Sequence, residues 1–209
     1  ITYILTHIYH GEKVLVVKVF LSVLMLIFSL QSLSKANDIK DLEIEGMSIG
    51  DSLLNYFNEQ DILSAKQNTQ YPNDKFIVYS LHKIKSLEIY DGLNVSIKKN
   101  NKKYELSHIQ AIIWYKKENE FEKCNDKKKE IENRLSDIFN GLEREEKKYL
   151  SSYDNKSPVN GVQYYFDSGE VIAINCNDWM KETGLTKNLD VAITTKEFFI
   201  FVTEEAFNQ

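Results

Sequence analysis

The sequence predicts an α+β fold in which antiparallel β-sheet packs against a long amphipathic helix and shorter flanking helices. Apolar residues at Phe121, Cys124, Ile131, Leu135, Ile138, Phe139 and Leu142 recur at spacings that place them on one helical face. Short runs rich in β-branched and aromatic residues are separated by turn residues. Val162 to Phe166 and Val171 to Cys176 flank Asp167-Ser-Gly169-Glu, and Val95 to Ile97 and Tyr104 to Tyr115 flank the polar spacer Lys98 to Lys103. Strands joined so closely are antiparallel neighbours, and helices then cover a sheet face.

The elements read in order as follows. Leu42 to Glu45 alternates as a short strand or extended entry. Ser48 with Asp51 three residues on reads as a capping box, and Leu53, Leu54 and Phe57 make an apolar stripe, so a helix is expected over 48–58. Asn68 to Asp74 is a loop. Phe76 to Tyr79 is a strand, and Leu87 to Tyr90 is a further candidate. In the Lys98 to Lys103 turn, Asn100 and Asn101 tolerate positive φ. Glu143 to Tyr149 could carry the long helix onward past Gly141. Ser152 to Pro158 is a loop, Leu189 to Ile193 a strand. Thr195 to Phe207 has strand-like composition, but Phe198, Val202 and Ala206 recur at helical spacing, which favours a terminal helix.

The opening segment reads as an address. Lys18 precedes the apolar run Val19 to Leu30, and Ser34 and Ala36 supply the small residues before a cut, so residues 1–36 are expected to be a signal peptide cleaved after Ala36. The alternative is a retained inner-membrane anchor. A spanning helix needs about 20 apolar residues, and this run is shorter. Residues 1–16 do not resemble the start of such a leader and are expected to be an upstream extension. Residues 37–209 are expected to form a single α+β domain, with two small lobes, 37–118 and 119–209, as the alternative. A chain of that size buries roughly 70% of its unfolded surface.

Composition excludes several functions. There are 26 Lys+Arg against 31 Asp+Glu, and the net charge of −5 argues against a nucleic-acid partner. The basic run Lys127 to Lys129 is interleaved with Asp126, Glu130 and Glu132. No phosphate-binding loop, dinucleotide Gly motif, calcium loop or zinc-protease motif is present. No cofactor and no metal site is expected.

Both cysteines point to the predicted core, Cys124 from the apolar helix face and Cys176 beside Ile172 and Ile174. In an exported protein a Cys124–Cys176 disulfide is expected, contributing about 4 kcal/mol by loop entropy, with two buried free thiols as the alternative.

Gly46-Met-Ser48-Ile-Gly50 matches the nucleophile-elbow pattern between a strand-like and a helix-like segment. Such chemistry needs a base, and only His82 and His108 follow it. His108 lies mid-strand, and a cap-and-turn role accounts for the same residues. Asp178 and Glu182 beside Trp179 could form an acid pair at a sugar platform, but spacing alone says little in a chain with 27% charged residues. Trp114 and Trp179 read as core or rim packing. No residue is therefore expected to be catalytic.

Three stretches carry a resemblance: Glu45 to Leu54, Cys124 with Lys128 to Ile131, and Cys176-Asn-Asp-Trp179 followed by Leu189 to Ile193 and Thr195 to Phe198. In these the chain resembles uncharacterised exported proteins of Pelagibacter-like marine bacteria. The resemblance implies residence in the envelope, supports pairing of the two cysteines, and brings no activity with it. Gly46 to Phe57 is also similar to the first helix of BamE-type outer-membrane assembly proteins. The expectation is a periplasmic binding or scaffold protein that is not an enzyme. Its partners would be envelope proteins, with no membrane contact after signal cleavage. A small hydrolase using Ser48 and an inner-membrane-anchored protein are the alternatives.

Overall fold

The computed structural model describes residues 38–67, 71–139 and 141–206. The expected leader, its cut after Ala36 and the upstream extension lie outside the described residues. Among the described residues, no helix is long and apolar enough to cross a membrane.

The fold is mixed α+β around one antiparallel sheet. Its strands are β1 (Phe76–Ser80), β2 (Gly92–Lys98), β3 (Leu106–Trp114), β4 (Glu143–Leu150), β5 (Pro158–Tyr165), β6 (Val171–Asn177) and β7 (Asn188–Thr194). They lie in the order β1-β2-β3-β7-β6-β5-β4. Two meanders therefore meet where β7 pairs with β3, from His108 opposite Thr194 to Trp114 opposite Asn188. Short turns join β2 to β3, β4 to β5 and β5 to β6, with positive φ at Asn100 (67°) and Gly169 (96°) in two of them, while β3 reaches β4 through a helical connection.

One sheet face is apolar. Tyr79, Val95, Ile109, Val191, Ile174 and Val162 lie along it and belong to the main core. Over β1–β3 this face is covered by largely irregular chain carrying Ile39, Met47, Ile49 and Leu53 and by a short helix that buries Ile62. Over β6 and β7 it is covered by a helix that buries Cys124 and Leu135. The opposite face divides in two. At one end Phe76, Phe198, Phe201 and Ala206 make a second cluster, with Phe76 and Phe198 edge-to-face at 5.0 Å. The other end is polar.

The helices differ from the sequence reading in three places. The expected helix over 48–58 does not form. Gly50 at φ 89° breaks it, the Gly50 amide donates to Leu106 O, and the Leu53 amide donates to Tyr104 O. What forms is a 3-10 turn, Leu53–Asn55, and then a one-and-a-half-turn helix α1, Glu59–Ser64. The similarity of Gly46 to Phe57 to a BamE-type first helix therefore does not extend to structure. The expected long rod from Phe121 to Leu142 is a four-residue turn α2, Glu118–Phe121, then the 15-residue α3, Cys124–Ile138. It ends because Phe139 is extended (φ −109°, ψ 101°), and Gly141 follows at φ 93°. Ile138, expected on the buried face, is 40% exposed. Beyond it, Glu143 to Leu150 is strand rather than helix. All six residues from Glu143 to Lys148 are charged, so no apolar period announced it. Its partner is backbone, Glu143 opposite Tyr165 through Leu150 opposite Pro158. Arg144 also ties it to α3, its Nη2 lying 2.7 Å from Glu132 Oε2. The other side of β4 is the open edge of the sheet.

Leu87 to Tyr90 is not a strand either. Its amides are taken by the Glu45 carboxylate, which accepts from Glu88, Ile89 and Tyr90 N–H at 3.0, 2.9 and 3.2 Å. Burial pushes that carboxyl up, but those amides outweigh it and hold the group below its ordinary value. The C-terminal segment is helix, α4, Lys196–Ile200, continuing as a π-turn, Phe201–Glu205, with Thr195 as its N-cap.

Cys124 and Cys176 lie at disulfide distance, with Cα atoms 6.0 Å apart at a sequence separation of 52. A bond there would staple α3 to β6. Replacing both cysteines with serine, or reducing the protein, is expected to lower unfolding stability by about 4 kcal/mol. Urea denaturation with and without reductant measures this, and coincident curves would refute it.

Candidate functional site

The polar half of the second face carries a hydrogen-bonded network of amide side chains. Strand periodicity creates it. Asn175 and Asn177 alternate with Ile174 and Cys176, and Asn188 and Asp190 alternate with Leu189 and Val191, so the apolar set enters the core and the polar set faces the other way. Register then aligns the rows. Ile112, Asp190, Asn175 and Gly161 are successive partners across four strands, and Trp114, Asn188 and Asn177 are successive partners across three.

The bonds converge on Asp190, which is 7% exposed. Asn175 Nδ2 donates to Asp190 Oδ1 at 3.0 Å, and Asn177 Nδ2 donates to Asp190 Oδ2 at 2.7 Å. Asn177 Nδ2 also donates to Asn188 Oδ1 at 2.8 Å, and Asn188 Nδ2 to Thr186 O at 3.1 Å. From the other side Ser80 Oγ donates to Asn94 Oδ1, Asn94 Nδ2 to Gln110 Oε1, and the Gln110 amide reaches Asp190. Burial raises the Asp190 carboxyl to about 6, against the three amides that favour its charged form. No lysine or arginine pairs with it among the described residues. Its charge is felt on β4, where Tyr149 is raised by burial and then by Asp190.

This network floors a cleft of about 470 Å³ walled by Trp114 and Trp179, with Ile112, Leu185 and Thr186 around it. Trp114 lies against Gly92, where an added Cβ would sit 2.9 Å from the indole. His82 approaches the same indole edge-on at 5.8 Å. Tyr153 meets Trp179 edge-on at 6.0 Å. The two tryptophans, read from sequence as packing, are half-buried walls of one cleft.

The other candidates are dispersed. Ser48 Oγ donates to Leu42 O at 3.1 Å, and the Ser48 amide donates to Asp51 Oδ2 at 2.9 Å, the cap-and-turn role. Neither histidine hydrogen-bonds it. His82 Nδ1 lies 3.4 Å from Leu93 N and O, and His108 Nδ1 lies 2.9 Å from Thr194 Oγ1 beneath the Phe198 ring. Asp178 is in an ion pair with Lys187 at 2.7 Å, and Glu182 is exposed. The carboxylate in the cleft beside Trp179 is Asp190 instead. Among the described residues no group of three His, Cys, Asp or Glu could hold a metal ion.

No known protein family matches the chain, no curated protein matches it, and no solved structure matches its fold.

Two predictions follow from this geometry. Gly92→Ala forces Trp114 off the sheet, with an expected loss of about 1–3 kcal/mol and a changed tryptophan emission; an unchanged spectrum and midpoint would show the contact to be slack. The second concerns pH. Asp190, at about 6 when folded against 3.8 unfolded, stabilises fully below pH 3.8, and that contribution is lost as pH rises through 6. His108 is pushed down by burial to about 4 against 6.5, so it stabilises fully above pH 6.5 and loses this as pH falls through 4. Each is worth about 3 kcal/mol, and the two oppose each other. In unfolding free energy, Asp190→Asn minus wild type is expected to rise with pH between 4 and 6. His108→Gln minus wild type is expected to rise as pH falls from 6.5 to 4. Difference curves that slope the same way against pH contradict the assignment.

Proposed function

We propose that the chain is a binding protein of the bacterial envelope, exported to the periplasm, which holds a small polar ligand in the Trp114–Trp179 cleft and carries out no chemistry on it. The observation that carries the reading is Asp190: a buried carboxylate without a cation, held by three amides at the floor of an open cleft between two indoles. Burying a charge in this way works against stability unless something else compensates it. An aromatic-walled cleft with a few convergent polar groups is the ordinary form of a ligand site. A hydrolase built on Ser48 gains no support, since its hydroxyl is committed to Leu42 O and no histidine reaches it.

Export is supported by the leader-like segment 1–36 and by two cysteines at disulfide distance, since such bonds persist in oxidising compartments.

The test has a cellular arm and a binding arm. Osmotic-shock fractionation of expressing cells is expected to release a protein whose mass begins at Asn37 and whose cysteines resist alkylation until reduced. Carbonate-resistant membrane retention with Val19 to Leu30 attached would support the anchor reading instead. A thermal-shift screen of small polar compounds is expected to return hits that Trp179→Ala abolishes. Hits that survive that substitution move the site elsewhere.

A further inference from the structure

The donors and acceptors around Asp190 are unevenly distributed, and this bears on what could enter the cleft. Asn175, Asn177 and Gln110 turn amide hydrogens toward the carboxylate, and the Asn188 amide is turned to Thr186 O. Both Nδ2 hydrogens of Asn177 are engaged, one by Asp190 and one by Asn188. The side chains facing the cleft are thus left richer in lone pairs than in hydrogens. A ligand meeting such a surface must bring hydrogens.

Charge selects further. No lysine or arginine lines the cleft. An adjoining hollow of about 360 Å³, which shares Trp179, Gly184, Leu185 and Thr186 with the cleft, holds Lys116, Lys181 and Lys187, so the lysines gather beside the cleft and the carboxylate lies in it. Indole faces attract cations, and they do so more strongly where water is thinned. A cation seated between Trp114 and Trp179 would also give the buried carboxylate the ion pair it lacks.

We propose that the cleft binds a protonated amine with N–H donors, its ammonium directed at Asp190 and its alkyl part lying on the indoles. This rests on the cleft being a binding site, and the experiment separates the two claims. Isothermal titration and tryptophan fluorescence are run on the full mature protein with n-butylamine, cadaverine, tetramethylammonium, glucose and acetate. Butylamine and cadaverine are expected to saturate. Tetramethylammonium, a cation without N–H, is expected to bind about tenfold more weakly, and acetate not at all. Asp190→Asn is expected to weaken butylamine by about tenfold or more. Trp179→Ala, which leaves the sheet untouched, is expected to weaken it as well, so a folding defect cannot imitate the result. Equal butylamine affinity in wild type and Asp190→Asn overturns the amine assignment. Trp179-dependent binding of glucose without butylamine overturns it also, while the binding-site reading stands. If no probe saturates, both fall.

Discussion

Strand β7 sits in the middle of the sheet with hydrogen-bonded partners on both sides, and its register determines most of the rest. It pairs with β3 across 86 residues of sequence at His108 and Thr194, and with β6 across a short connection. In that register Leu189, Val191 and Ile193 enter the core, while Asp190 and Asn188 face the amides of β6. A slip of one residue would drive Asp190 into the apolar layer and Val191 into the cleft. The same pairing sets Cys176 beside Leu189 and so brings the sulfur under α3. Core, cysteine pair and cleft are three results of one alignment. Because that alignment joins distant segments, it carries the loop-closure cost of a long-range pairing.

The two faces of the sheet are held by different physics. On one, dispersion and water exclusion act on a continuous apolar layer. On the other, the aromatic cluster of Phe76, Phe198 and Phe201 covers only one end. The remaining end relies on amide hydrogen bonds whose geometry is directional. Two titratable groups, His108 and Asp190, are packed at opposite ends of this face. Each disfavours charge on itself, and the two respond to acid in opposite senses.

Much of this was legible in the sequence, and the rest was hidden for identifiable reasons. The strands around Phe76, Val95, Val162, Val171 and Leu189 were visible because alternation or β-branched content marks a half-buried strand. The facing of Cys124 and Cys176 toward one core followed from the same periods. The strand Glu143–Leu150 was hidden because its contacts are made by backbone and by Arg144, and neither leaves an apolar signature. The helix expected after Ser48 was lost to long-range pairing with Tyr104 and Leu106, which no local pattern records. The cleft was half legible. Its tryptophans were noticed, but its carboxylate was read as one strand residue among others. The overlooked signal was the pair of polar alternations, Asn175 with Asn177 and Asn188 with Asp190, each opposite an apolar run.

The open edge at β4 has a consequence for symmetry. Residues directly opposite in antiparallel strands point to the same side, so a second molecule added across a two-fold axis must place some residue against its own copy. Between Glu143 and Lys148 every such residue is charged, so each of those registers sets glutamate on glutamate, lysine on lysine or arginine on arginine. At those six registers the edge thereby sets a like-charged pair on the axis, and within the strand only centres at Tyr149 or Leu150 escape it.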